Sequence, residues 1–240
     1  MYFNPFDPTF ILLLPALLLA LWAQIKVKSA YARYSQVGTR SGLTGSEVAQ
    51  LILRDAGVSN AGSWRAAGDG AGCSIEPIPG ELTDHYDPRS RTLRLSEAVY
   101  YGRSIAALGI AAHEVGHAIQ HARMYAPLML RSLVYPASSF GSFLAWPLFI
   151  IGLIAASPLL IKAGILLFTC AVLFTVVTLP VEFNASNRAL RALANGGYLA
   201  EDELVAARKV LSAAALTYVA AAAMAILQLL RMLVLARGRD

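Results

Sequence analysis

His113, Glu114 and His117 stand together in "AAHEVGHAIQHA", residues 111–122, a stretch that holds three of the chain's four histidines. On a helix, residues i and i+4 lie one above the other on one face, about 6 Å apart. Two imidazoles so placed can reach one metal ion at the roughly 2.1 Å of a zinc–nitrogen bond. Glu114 is one residue on and points about 100° away from His113. From there it is poorly placed to ligate but can take a proton from a water beside the metal. The plainer reading is a helix with ordinary polar residues on its wet face. Against it, the flanks "GIAA" and "AI" are apolar, as in a buried helix whose charged triplet needs a partner.

Two histidines do not complete a catalytic metal site, which takes three protein ligands and keeps one position open. His121 lies eight residues beyond His113, about 12 Å along a straight helix, too far for one ion. A helix-breaking glycine three residues after the second histidine, with a ligand three further on, would bring a third donor back. Gln120 and Arg123 occupy those positions, so that solution is excluded. His121 reads instead as an end-of-helix residue near the site, favoured by the helix dipole. The outstanding third donor is Glu182 in "LPVEFNASNRAL", which directly follows an uncharged run. Pro180 suits a helix start, and Glu182, Ala185, Ser186 and Ala189 then share one face. The alternative is a boundary glutamate paired with Arg188.

The elements that must hold these residues are mostly apolar. Of 240 residues, 57% are hydrophobic and 15% charged, against about a quarter charged in soluble domains. Four charge-light stretches run from Thr9 to Ile25, Ser132 to Ile161, Ala163 to Val181 and Val210 to Leu230. Each is near the roughly 20 residues that a spanning helix needs. We expect spans over 9–25, 133–160, 163–181 and 210–235, the last alanine-rich and able instead to pack against the others. Neither a preceding cation nor a small-residue cleavage site marks the first as a signal peptide, so it reads as a retained anchor. Between spans lie polar segments 26–131, with the histidine motif, and 182–209, with the third donor.

Segment 26–131 carries 12 of the 20 basic residues. The positive-inside rule then places it, and 182–209 with it, in the cytoplasm. Arg231, Arg237 and Arg239 run against that rule. The two cysteines, Cys73 and Cys170, form no Cys-x-x-Cys pair, and neither a disulfide nor cysteine chemistry is expected. No basic-aromatic motif points to nucleic acid.

In the polar segment, "SGLTGSEVAQLILRDAG" reads as a short helix with Gly57 at its C-terminal cap. "GVSNAGSWRAAGDGAG" reads as a mobile loop, and lacks the Gly-Lys-Ser/Thr of a phosphate loop. Runs 82–86 and 92–95 around Asp87-Pro88 read as a hairpin. Ser96 caps a helical region, and a helix from about Ser104 to Arg123 carries the motif. No internal repeat is present, and one membrane-embedded unit over 1–240 is expected.

Taken together, "AQIKVKSAYARYS", "SGLTGSEVA", "LTDHYDP", "LRLSEAVYYGRSIAALGIAAHEVGHAIQHA", "YAPLMLRS", "LAWPL", "LPVEFNASNRAL" and "ARKVLSAAALTYVAAA" resemble the YugP-type neutral zinc metallopeptidases, a family of bacterial membrane proteins. That family is similar in turn to the gluzincin membrane proteases, which pair His-Glu-x-x-His with a glutamate on a later helix. The resemblance implies a mainly α, multi-pass inner (plasma) membrane protein. It would have a zincin-like helical catalytic region, a small β-hairpin and bound Zn2+. It further implies His113, His117 and Glu182 as ligands and Glu114 as base. Those proteases carry Glu-x-x-x-Asp where this chain has Ser186, leaving the aspartate's role to Asn184 or Asn187.

The implied chemistry is hydrolysis of peptide bonds in protein or peptide substrates at the cytoplasmic face of the lipid bilayer, as in membrane protein quality control. His85 and Tyr86 of "TDHYD" are candidate oxyanion donors, or else simply stabilise the hairpin. A strand there can also offer its edge to an extended peptide. The rival reading is a non-catalytic membrane scaffold or chaperone with a structural zinc, although such sites are closed by four ligands. A transporter is disfavoured, because charges near the midplane of the spans are essentially missing.

Overall fold

The protein is described from a computed structural model over residues 8–58 and 72–237; most of the glycine-rich loop, residues 59–71, lies outside them. The fold is mainly α. A 3-10 turn, Pro8–Leu13, leads into α1 (Leu14–Tyr34) and then α2 (Gly45–Asp55). Three strands follow: β1 (Ser74–Ile78), β2 (His85–Asp87) and β3 (Thr92–Ser96). The chain then runs through α3 (Glu97–Tyr100), α4 (Ile105–Ala122), α5 (Ala126–Ile154), α6 (Pro158–Asn195) and α7 (Glu201–Arg237). The residues cluster into two compact units. A helical unit takes in Met1–Gln24, Leu130–Leu179 and Leu216–Asp240, and a second unit takes in Ile25–Met129 and Pro180–Ala215.

Among the described residues, four helices are long and apolar enough to cross a membrane, over Pro8–Tyr34, Ala126–Ile154, Pro158–Asn195 and Glu201–Arg237. In the helical unit, large apolar side chains such as Leu133, Phe140, Phe143 and Ile154 face outward, as a lipid-facing surface requires. Inside it, α5 and α6 approach through small residues. A Cβ on Gly164 would sit 2.8 Å from the Ala145 carbonyl oxygen, and one on Gly141 2.8 Å from that of Leu167. Small residues at such crossings let backbones close up without a hydrophobic driving force. Arg231, which ran against the positive-inside rule, is buried. Its guanidinium stacks 3.6 Å over the Phe10 ring and donates to Thr9 Oγ1 at 2.9 Å.

Two boundaries differ from the sequence expectation. The second and third apolar stretches part at residues 155–157, before Pro158, and not at Lys162. Proline is tolerated in a helix's first turn, where its missing N–H has no partner to lose. Pro180, in contrast, starts no helix: α6 runs through it. Helical flanks on both sides outweigh its single lost backbone bond.

The second unit is organised around α4. Ser104 caps the helix by accepting from Ala107 N, a bond that satisfies one of the orphan donors of the first turn. α2 is held by a capping box between Thr44 and Glu47, and Gly57 follows its C-terminus at φ 69°. Val48, Ile52 and Leu53 of α2 and Leu93 and Leu95 of β3 pack with Leu108, Ala111, Ala112 and Val115 of α4. The sheet order is β1-β3-β2, parallel between β1 and β3 and antiparallel between β2 and β3. The expected hairpin is therefore present, shorter than expected. The sequence reading did not name β1; it is an edge strand, where the proline of "SIEPI", Pro77, is tolerated. Ser96 precedes α3, but its hydroxyl makes no cap bond and meets the carboxylate of Asp84 instead.

A candidate metal centre

α4 is dense in small residues, and that is what lets α6 come close. A Cβ on Gly116 would lie 2.6 Å from the Ala185 carbonyl oxygen. The approach sets Glu182, one turn before Ser186 on α6, against the histidine face of α4. Glu182 Oε2 lies 3.3 Å from His113 Nε2 and 3.6 Å from His117 Nε2. The two imidazoles stand edge to face, with ring centroids 4.8 Å apart. The donor atoms of His113, His117 and Glu182 all fall within 4.8 Å of one another, a group that could hold a metal ion. Donors bound at about 2.0–2.1 Å around a tetrahedral zinc are themselves about 3.3 Å apart. The observed separations fit that ion, and two imidazoles with one carboxylate are a donor set it takes.

The electrostatics agree with a cation between these groups. Burial alone would push His117 below the usual imidazole range. The Glu182 carboxylate at its Nε2, together with the nearby Glu114, outweighs burial and raises it. The three groups together thus favour a positive charge among them.

Each histidine is also held at its other nitrogen. Ser186 Oγ is 3.1 Å from His113 Nδ1, and Gln120 Oε1 is 3.1 Å from His117 Nδ1. Such outer partners fix ring orientation and tautomer in metal-binding histidines. Sequence reasoning named Asn184 or Asn187 as stand-ins for the missing aspartate. Asn184 Oδ1 instead accepts from Gln120 Nε2 and Arg188 Nε, and Asn187 is exposed. Ser186 itself meets the histidine. Gln120 entered the sequence reading only as the residue standing where a helix-breaking glycine would be; its contact with His117, one turn before it on the same helix face, shows only in the structure.

Glu114 is 8% exposed, and among the described residues its carboxylate accepts no hydrogen bond, which leaves it free to meet a water. Asp84 lies near enough to feel its charge. Burial raises the Asp84 carboxyl, bonds from Ser96 oppose that, and Glu114 adds to the rise.

His85 and Tyr86 are not drawn into the donor group. Tyr86 pairs with Leu93 and His85 with Arg94, so the two side chains leave opposite faces of the sheet. Tyr86, on the Leu93 face, bonds His121 Nδ1 at 2.8 Å. His85 is exposed, with Nδ1 2.8 Å from the Thr83 carbonyl. His121 is thus a tie between α4 and β2, outside the donor group.

Comparison with known proteins matches residues 9–237 to the family described as "Putative neutral zinc metallopeptidase". The chain is also similar to the "Putative membrane protease YugP" of Bacillus subtilis (strain 168). The two are 47% identical over 230 residues, 95% of this chain and 97% of that protein. No solved structure matches the chain.

Proposed function

The chain belongs to the neutral zinc metallopeptidase family, and from that premise we propose that it is a multi-pass endopeptidase of the inner (plasma) membrane. It cleaves polypeptides at the cytoplasmic face, as in membrane protein quality control, and residues 1–240 act as one membrane-embedded metallopeptidase. The observation that carries this reading is the convergence of His113, His117 and Glu182 within 4.8 Å, with Glu114 buried nearby and, among the described residues, free of hydrogen bonds. The cytoplasmic assignment rests on the 12 basic residues among positions 26–131.

In this reading His113 Nε2, His117 Nε2 and a Glu182 carboxylate oxygen hold the zinc. When bound, the ion supplies Lewis acidity to the scissile carbonyl. Glu114 takes the proton of the attacking water and returns it to the leaving amine. Tyr86 is the better placed of the two oxyanion candidates, because it leaves the sheet on the Leu93 face toward α4. A neutral His85 that donates from Nδ1 to Thr83 has only an acceptor left at Nε2. Among the described residues β2 pairs only with β3, so its other edge is open to an extended peptide.

The test is zinc content together with cleavage of an unfolded protein such as casein, on detergent-purified wild type and Glu114→Gln. The expected result is one zinc in both and cleavage only by wild type. Hydrolysis that survives in Glu114→Gln would remove the base; no zinc in wild type would remove the metal centre.

A further inference from the structure

Gln120 is fully buried, with 0% of its surface exposed, and its amide makes three bonds. Nε2 donates to the Val181 carbonyl at 2.8 Å and to Asn184 Oδ1 at 3.0 Å. Oε1 meets His117 Nδ1 at 3.1 Å. The donor directions follow from the far end of the chain. Arg188 has donors only, and its Nε reaches Asn184 Oδ1 at 2.6 Å, so that atom is an acceptor. Gln120 must then present its NH2 to Asn184 and Val181 and its oxygen to His117. An amide oxygen only accepts, so His117 carries its proton on Nδ1. Its Nε2, 3.6 Å from Glu182 Oε2, is thereby the nitrogen left for the donor group, the one that must be unprotonated to take a metal.

We infer that Gln120 is a positioning residue for the metal centre. One buried amide fixes the tautomer of His117 on α4 and, through Val181, grips the residue just before Glu182 on α6. It thereby registers two of the three metal donors, on two helices, against each other. Gln120 itself touches neither the ion nor the substrate. The inference rests on the reading of His113, His117 and Glu182 as zinc ligands.

Both features of the amide are needed. A carboxylate at this position would accept from His117 equally well, but it cannot donate to Val181 or Asn184 and would set oxygens against oxygens. Gln120→Glu therefore separates this role from that of a simple acceptor for the histidine. Gln120→Met keeps the length and apolar packing while removing both the acceptor and the donors.

The experiment measures zinc affinity by chelator competition, thermal stability, and the His117 tautomer by nitrogen-15 NMR of the metal-free, histidine-labelled protein at high pH, where the ring is neutral. Wild type should show the Nδ1-protonated form. Both variants should bind zinc about 10–100-fold more weakly, the usual cost of removing an outer partner, and Gln120→Met should show mixed tautomers. A purely structural amide predicts a lower melting temperature with unchanged affinity of the folded molecules, and that result would overturn the inference. Wild-type affinity in Gln120→Glu would overturn it too, even if Gln120→Met did not fold. Absence of zinc from wild type would reject the metal-centre reading and this inference with it; normal wild-type binding that Gln120→Met leaves unchanged rejects this inference alone.

Discussion

Both units bring helices together at glycines, yet they treat their polar side chains in opposite ways. In the helical unit, the hydroxyls of α5 and α6 turn back on their own helix: Thr169 donates to the Ile165 carbonyl, Thr175 to Val172, Thr178 to Phe174 and Ser142 to Ser138, while Thr9 accepts from Arg231 of α7. In the second unit they bond across elements. Gln120 reaches Val181, Ser186 reaches His113, Tyr86 reaches His121 and Asp84 reaches Ser96. A side chain facing lipid has no water to fall back on, so self-satisfaction within the helix is the cheapest solution. A metal-binding histidine needs the reverse, an outer partner on another element that fixes its ring. The contrast separates a unit built to sit in apolar surroundings from one built to hold donors in register.

The largest effect that this contrast predicts is on Glu182→Ala. Removal of one of three donors should weaken zinc binding by more than the roughly 10–100-fold that an outer partner is worth. Thr175→Ala, which deletes a hydroxyl bonded only within α6, should leave zinc binding alone and change stability by less than about 1 kcal/mol. Chelator competition on the two variants checks the pair. Full zinc occupancy in Glu182→Ala would reject the ligand assignment.

A matched pair of glycines comes next. In Gly116→Ala the new Cβ meets the Ala185 backbone at 2.6 Å, and backbone cannot rotate out of the way. Overpacking of this kind costs about 1–3 kcal/mol, and here it must push α6 off α4, so zinc affinity should fall as well. Gly164→Ala meets the Ala145 carbonyl at 2.8 Å and should cost about as much stability. Its zinc affinity below the melting transition should match wild type. Equal losses of affinity in the two variants would erase the distinction between the units.

How much of this was legible in the sequence follows the same division. The apolar stretches, the extent of the α4 helix from about Ser104, and the spacing of His113, Glu114 and His117 are local patterns, and all were readable; the capping serine was not, since Ser96 was named and Ser104 makes the cap bond. Glu182 was readable as a partner for the histidine face, which it meets, because a lone carboxylate at the end of an uncharged run is costly without a partner. The error beside it, a helix start at Pro180, came from local propensity that the surrounding helix overrides. β1 was not read from the sequence; its Pro77 disfavours an interior strand, and only the sheet order shows that this strand lies at an edge. Gln120 and Ser186 carry no local signature. A glutamine one turn past a histidine becomes informative only once α6 supplies Val181 and Asn184, across 61 and 64 residues of sequence.

The smallest prediction asks how far the outer partners tune the site rather than merely complete it. Ser186 Oγ is a neutral partner for His113 Nδ1 at 3.1 Å. In Ser186→Asp a carboxylate would accept from the Nδ1–H and make the ligating nitrogen more basic. Zinc should then bind a few-fold more tightly at neutral pH, a smaller change than the roughly tenfold floor for loss of an outer partner. The sign depends on pH. A more basic imidazole also holds its own proton to a higher pH, and zinc must displace that proton. The gain should therefore be greatest above the imidazole range and shrink as pH falls through it. Chelator competition across that range checks both the size and the trend. Unchanged affinity at every pH would mean that the Ser186 contact merely fills space beside His113, and that the cross-element bonds of this unit differ less from the self-satisfied hydroxyls of the helical unit than the geometry implies.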